Sequence, residues 1–237
     1  LSTSNKHRHM DAGSFQIARG KDWLSRETVG YTNQILVEGT TKVDCKTAIA
    51  HNVLTFNGKG MANAYHKGNP KVSAPTLSSD RVEAQVDLSD AYRAVGSPNM
   101  TRDDNPYAKS VTRRFVFLRN LGALIILDRM EATADTVKMA FLLHGKSWTS
   151  VGQVSRTTVG TSELVATTLL PLTATRRVIT EGSVAGQARL QVEQTGRTVT
   201  FLHVLQAKGQ GTPDLPVSVT VDAGQHTIHV GATTVVV

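Results

Sequence analysis

Apolar and polar side chains alternate with a period of two over several stretches of this chain. Val82-Glu83-Ala84-Gln85-Val86-Asp87-Leu88 and Thr198-Val199-Thr200-Phe201-Leu202-His203-Val204 each set every second residue on one face, as in a strand half buried against a core. Arg114-Phe115-Val116-Phe117-Leu118, the short Asn120-Leu121-Gly122 segment and Ala123-Leu124-Ile125-Ile126-Leu127-Asp128 together predict a central hairpin. Its second strand is apolar enough to lie between two layers.

Turn chemistry breaks the pattern at short intervals: Asn57-Gly58-Lys59-Gly60, Gly68-Asn69-Pro70, Gly96-Ser97-Pro98-Asn99, Gly209-Gln210-Gly211-Thr212-Pro213 and Asp222-Ala223-Gly224. The polar stretches Met61 to Ala74 and Ser97 to Lys109 read as exposed loops, and only Ser89 to Ala94 reads as a short helix. Many short strands without long amphipathic helices between them predict an all-β, two-sheet antiparallel β-sandwich, with residues 1–237 forming one domain. Runs of β-branched residues such as Val217 to Val221 and Thr233 to Val237 agree with strands.

The 26 Lys and Arg residues against 19 Asp and Glu give a formal charge of +7, a field that attracts polyanions without choosing among them. Nucleic acid is disfavoured, because no aromatic-interleaved basic stripe, zinc-finger spacing or recognition helix accompanies the charge. Cys45 is the single cysteine, so neither an internal disulfide nor a thiolate cluster forms. No apolar run reaches the roughly 18 residues of a membrane span. The start at Leu1 leads us to expect a processed or truncated polypeptide. Glycine-rich phosphate loops and the Gly-x-Ser-x-Gly elbow are absent, which argues against nucleotide enzymes and serine hydrolases.

The densest chemistry lies in Asn5-Lys6-His7-Arg8-His9-Met10-Asp11-Ala12-Gly13-Ser14-Phe15. On an extended strand His7, His9 and Asp11 would share a face, where imidazoles and a carboxylate bind a divalent cation or exchange protons. That run, continued by Gln16-Ile17-Ala18-Arg19-Gly20 and Trp23-Leu24, resembles the heparinase II/III-like polysaccharide lyases where they enter their C-terminal sandwich. Ala50-His51-Asn52-Val53-Leu54 with Asn57-Gly58 is similar to the family's His-Asn strand and the turn after it. A weaker likeness runs from Asp87 through Arg113 to Asp128, and beyond residue 150 only general sandwich character remains.

The resemblance implies cleavage of uronate-containing acidic polysaccharide, of the alginate or glycosaminoglycan type, by β-elimination. It implies a further α/α toroid, which this sequence lacks, supplied by the same precursor or a companion chain. By motif position His7 is the catalytic histidine of the cleft, and His9, His51 and Glu27 hold a structural divalent metal, Zn2+ by preference. Glu27 stands in for an Asp that the family usually places shortly after Trp-Leu. Arg8, Arg19, Tyr31 and His66 are the candidate substrate-binding residues. His144, His203, His226 and His229 read as packing or surface residues. A periplasmic or secreted bacterial protein is implied, and a homo-oligomer is compatible with it. The alternative is a non-catalytic carbohydrate-binding or structural β-sandwich, suggested by Arg26 near the position of an acidic ligand. A metal-dependent hydrolase is a third reading.

Overall fold

Strands form where β-branched and aromatic residues alternate, and the chain reverses where glycine or asparagine accepts a positive φ. The computed structural model describes residues 9–27, 34–37, 41–44, 46–61, 70–93, 105–181 and 187–237, with the backbone alone for 34–37 and 41–44. β1 (Ile17–Arg19) pairs with β2 (Asp22–Ser25), and β3 (Gln34–Val37) with β4 (Thr41–Asp44); β5 (Leu54–Phe56) follows a 3-10 turn at Ala48–Ala50. β6 (Lys71–Val72), β7 (Thr76–Leu77) and β8 (Arg81–Asp87) lead into the short helix α1 (Ser89–Arg93). The long hairpin of β9 (Ala108–Leu118) and β10 (Ala123–Ala132) comes next. Then come β11 (Lys138–Gly145), β12 (Thr149–Val151), β13 (Val154–Val159), β14 (Ser162–Leu170), β15 (Thr175–Thr180), β16 (Ala188–Thr195) and β17 (Thr198–Gly209). A C-terminal meander of β18 (Val217–Asp222), β19 (Gln225–Val230) and β20 (Thr233–Val236) closes the described chain.

The large sheet runs β12-β13-β14-β17-β10-β9-β8-β6, with β7 also paired to β8, and the small sheet runs β15-β16-β11-β5; their pairings are antiparallel. The main core lies between them. Phe56, Phe141, Leu143, Leu190 and Val192 of the small sheet meet Val111, Ile126, Met130, Leu164, Phe201 and Leu205 of the large one. This is the expected all-β sandwich, with a further layer. β18, β19 and β20 cover the outer face of the large sheet, burying Ile228, Val230 and Val235 against Val116, Ile125, Leu202 and Val204. Consequently β17 is buried on both faces rather than on one, and its alternation of Phe201, His203 and Leu205 with Leu202 and Val204 separates two cores.

The hairpin of β9 and β10 lies at the centre as expected, with Leu118 opposite Ala123 and Arg113 opposite Asp128. The Asn57-Gly58 and Ala223-Gly224 turns take positive φ at both residues, which suits the tight reversal of a right-twisted ribbon. Two expectations are corrected: within the predicted Met61 to Ala74 loop, Lys71 and Val72 form a short edge strand because their backbones pair with Asp87 and Val86, and at the end of the predicted Ser97 to Lys109 loop Asn105 is buried and Ala108 and Lys109 begin β9. Residues 62–69 and 97–104 of the predicted loops lie outside the described residues. Among the described residues no helix is long and apolar enough to cross a membrane.

Candidate functional site

On the outer side of the small sheet, Ala140 and Leu142 pack under a short cap made by Ala48 and Val53, with Met10 and Ile49 at its margin. This cap brings distant parts of the sequence together. The Met10 amide donates to Lys46 O at 2.7 Å, which lays the His9 segment beside the 3-10 turn that the His51 amide closes onto Ala48 O at 3.1 Å. Next along the first segment, Ser14 N donates to Asp11 O at 2.8 Å and Gly13 has a φ of +78°. A Cβ at position 13 would stand 2.8 Å from a Leu88 methyl, so this turn requires glycine. The extended strand expected from His7 to Asp11 is corrected here: Asp11 opens a turn, is exposed, and does not share a strand face with His9.

Asn52 ties the pieces together. Its amide nitrogen donates to Phe15 O at 2.7 Å and to Ser25 Oγ at 2.9 Å, and its amide oxygen accepts from the His144 backbone N–H at 2.7 Å. The segments carrying His9, Glu27 and His51 are thereby fastened to one buried side chain on the small sheet. Arg113 holds the same segments from the sandwich interior. Its Nη1 donates to Gly13 O at 2.7 Å and to Asn52 O at 2.9 Å, while Nε and Nη2 grip both oxygens of Asp128 at 2.7 and 3.0 Å. Neither member of that ion pair is exposed, and the guanidinium carbon lies 5.5 to 5.8 Å from the ring centres of Phe15, Phe115 and Phe141. Burial pushes the Asp128 carboxyl up, and Arg113 opposes that shift.

His9, Glu27 and His51 consequently converge, with one ligand atom from each within 4.8 Å of the others. Glu27 Oε2 lies 3.7 Å from His9 Nδ1 and 3.5 Å from His51 Nδ1, and the two rings are 5.1 Å apart. The other Glu27 oxygen accepts from Gln16 Nε2 at 3.2 Å. His51 is wholly buried, whereas His9 and Glu27 keep partial access to solvent. Direct hydrogen bonds between these groups would bring nitrogen and oxygen to about 2.7–3.2 Å. Ligands about 2.0–2.1 Å from a tetrahedral zinc stand about 3.4 Å apart, so the observed spacing suits atoms facing a shared cation. Two imidazoles and one carboxylate are also a donor set that zinc accepts.

Of the other candidate residues, Arg19 is described: it is exposed on β1 and does not join the triad. His7, Arg8, Tyr31 and His66 lie outside the described residues. His144, His203 and His226 are buried, in keeping with packing, and His203 stacks on Phe141 with ring centres 3.9 Å apart. Sequence reasoning missed the bracing roles of Asn52, Arg113 and Asp128. A signal was available: Arg113 falls at an inward position between Val111 and Phe115, and counting back from the hairpin turn sets it opposite Asp128.

No family model matches the sequence, and no curated protein matches it. The fold does have solved counterparts. Heparan sulfate lyase HepC from Pedobacter heparinus matches 98% of this chain with a TM-score of 0.69 at 11% identity, and a mutant of that enzyme matches with 0.70. Heparinase III matches 81% of the chain with a TM-score of 0.58 at 10% identity. The chain spans 37% of the HepC chain and 30% of the heparinase III chain. The likeness extends over nearly the whole sandwich and shows the fold.

Proposed function

We propose that this chain is the β-sandwich part of a polysaccharide lyase that cleaves acidic, uronate-containing polysaccharide by β-elimination. The observation that carries the reading is the convergence of His9, Glu27 and His51, on a fold that 98% of this chain shares with part of heparan sulfate lyase. The activity of the structural counterparts supports the substrate class, and the net charge of +7 is compatible with it.

β-Elimination asks for three things of a site. The uronate carboxylate must be neutralised so that the C5 proton becomes acidic, a base must take that proton, and an acid must protonate O4 as the C4–O4 bond breaks and the C4–C5 double bond forms. His7, two residues before the triad, is assigned to the sugar and to proton transfer. Arg8, Arg19, Tyr31 and His66 are assigned to substrate contacts, and the remaining acid–base groups to a toroid on the same precursor or a companion chain. His9, Glu27 and His51 are assigned to a divalent cation, Zn2+ by chemistry. Bound there, the cation supplies rigidity, cross-linking the segment that carries His7 to the cap on the small sheet. A substrate of this class puts the site of action in the periplasm or outside the cell.

The test uses the complete protein, toroid included, on alginate and glycosaminoglycans. Unsaturated uronate products absorbing in the ultraviolet are expected, and His7→Ala is expected to lower their rate by about a hundredfold or more. Full activity in that variant would remove the catalytic assignment. Glycan binding by the complete protein without product would favour a non-catalytic carbohydrate-binding sandwich.

A further inference from the structure

A cleft of about 690 Å³ opens between β1 and the large sheet. Its floor follows from strand register. Phe117 on β9 stands opposite Leu124 on β10, which stands opposite Leu205 on β17, so the three side chains share one row of one face. Leu124 and Leu205 pack into the core between the sheets, which identifies this as the inner face of the large sheet. At Phe117 the row emerges, with 39% of that residue exposed. Along the rim lie Arg19 of β1, Arg119 to Gly122 of the turn between β9 and β10, and Lys208 and Gly209 at the end of β17. Gly122 has a φ of +57°, and a Cβ there would stand 2.9 Å from Ala207 O, so a side chain at this position would force the rim away from the floor.

The arginines on this rim differ from most of those elsewhere. Arg81, Arg93, Arg113, Arg114, Arg156, Arg177, Arg189 and Arg197 each reach a carboxylate. Among the described residues Arg19 and Arg119 reach none, and both are exposed beside a floor that no carboxylate lines. Lys208 is engaged by Glu163 at 2.6 Å and Asp214 at 3.2 Å, which leaves acidic groups beyond that end of the cleft. Those carboxylates are matched by Lys208 and Arg156, so Arg19 and Arg119 are the rim cations that face a ligand. A short anionic ligand with an apolar face suits two planar guanidinium forks and one open aromatic ring.

We propose that this cleft is a glycan-binding site for an acidic saccharide, with its carboxylate or sulfate groups on Arg19 and Arg119 and a sugar face over Phe117. The choice of sugar rests on the acidic-glycan reading above; the anion and the apolar face rest on the cleft. The cleft adjoins the triad through Gln16, which lines it and donates to Glu27, and it shares Arg19 with the substrate contacts proposed above.

The test is calorimetric titration of the 237-residue chain with hexasaccharides from heparin and from alginate, against cellohexaose and a thymidine hexanucleotide. Both acidic hexasaccharides or one of them is expected to bind, and cellohexaose is not. Replacing the exposed pair together (Arg19→Gln with Arg119→Gln) is expected to weaken that binding about tenfold or more without changing the zinc content. Phe117→Ala is expected to weaken it separately. Unchanged binding in the double variant, equal binding of cellohexaose or preferred binding of the hexanucleotide would overturn the proposal. If the complete protein cleaves polysaccharide while the double variant binds normally, the cleft assignment fails and the lyase reading stands. Loss of binding in the double variant, with no cleavage by the complete protein, upholds the cleft and removes the lyase reading.

Discussion

Arg113 occupies an unforgiving position: a fully buried guanidinium facing a fully buried carboxylate across a hairpin. Arg113→Met would leave Asp128 without its partner, and a stability loss of about 3–5 kcal/mol is expected from urea unfolding. Joint replacement by Arg113→Met and Asp128→Leu is expected to recover most of that loss, since no lone charge remains. Zinc affinity should nevertheless stay below that of the wild type, because the donors to Gly13 O and Asn52 O are gone. A stable double variant with unaltered zinc affinity would show that Arg113 does not position the site. His203 offers a pH test. Burial, then Arg113 and Arg176, pull its pKa from 6.5 down to about 3, so the folded ring stays neutral while the unfolded one takes a proton. The unfolded state therefore binds more protons below about pH 6.5, and this group's contribution to stability falls as pH drops from there toward 3. Relative to the wild type, His203→Phe should become progressively more stable over that window in unfolding experiments at stepped pH; a pH-independent difference would contradict the assignment. The grouping of His9, Glu27 and His51 was legible through the likeness of three separate segments to a known family, with Glu27 standing where that family usually has an Asp. Arg113 and Asp128 were not, because their partnership exists only once the hairpin register is set.

The hairpin of β9 and β10, the Asn57-Gly58 turn and the helix α1 were all readable, since each depends on neighbours in sequence. Burial of β17 on both faces was not. Alternation in Thr198 to Val204 is the same whether one face or two are covered, and the covering element is the distant meander of β18 to β20. Ile228, fully buried there against the row containing Leu202 and Val204, reports on that layer. Ile228→Ala is expected to cost about 2–5 kcal/mol in urea unfolding. Val221→Thr, on the same meander but about half exposed, should change stability by about 0.5 kcal/mol or less. Equal effects would mean that the meander does not bury a second core. The edge strand at Lys71 and Val72 escaped the sequence reading for a related reason: two residues among polar neighbours become a strand only through pairing with β8.

Across the whole molecule, the sandwich makes one site from segments 18 and 24 residues apart, using Asn52 and Arg113 as fasteners and the small sheet as a base. Sequence likeness to the lyases is only 10–11% even where the fold agrees over most of the chain, so the local motif and the three-dimensional convergence carry the argument together. The direct test is calorimetric titration of metal-free protein with zinc, in the wild type and in Glu27→Gln with His51→Ala. One zinc bound per chain by the wild type, and none by the double variant, is the expected result. Absence of stoichiometric zinc in the wild type, or its persistence in the double variant, would contradict the claim that these three residues share a cation.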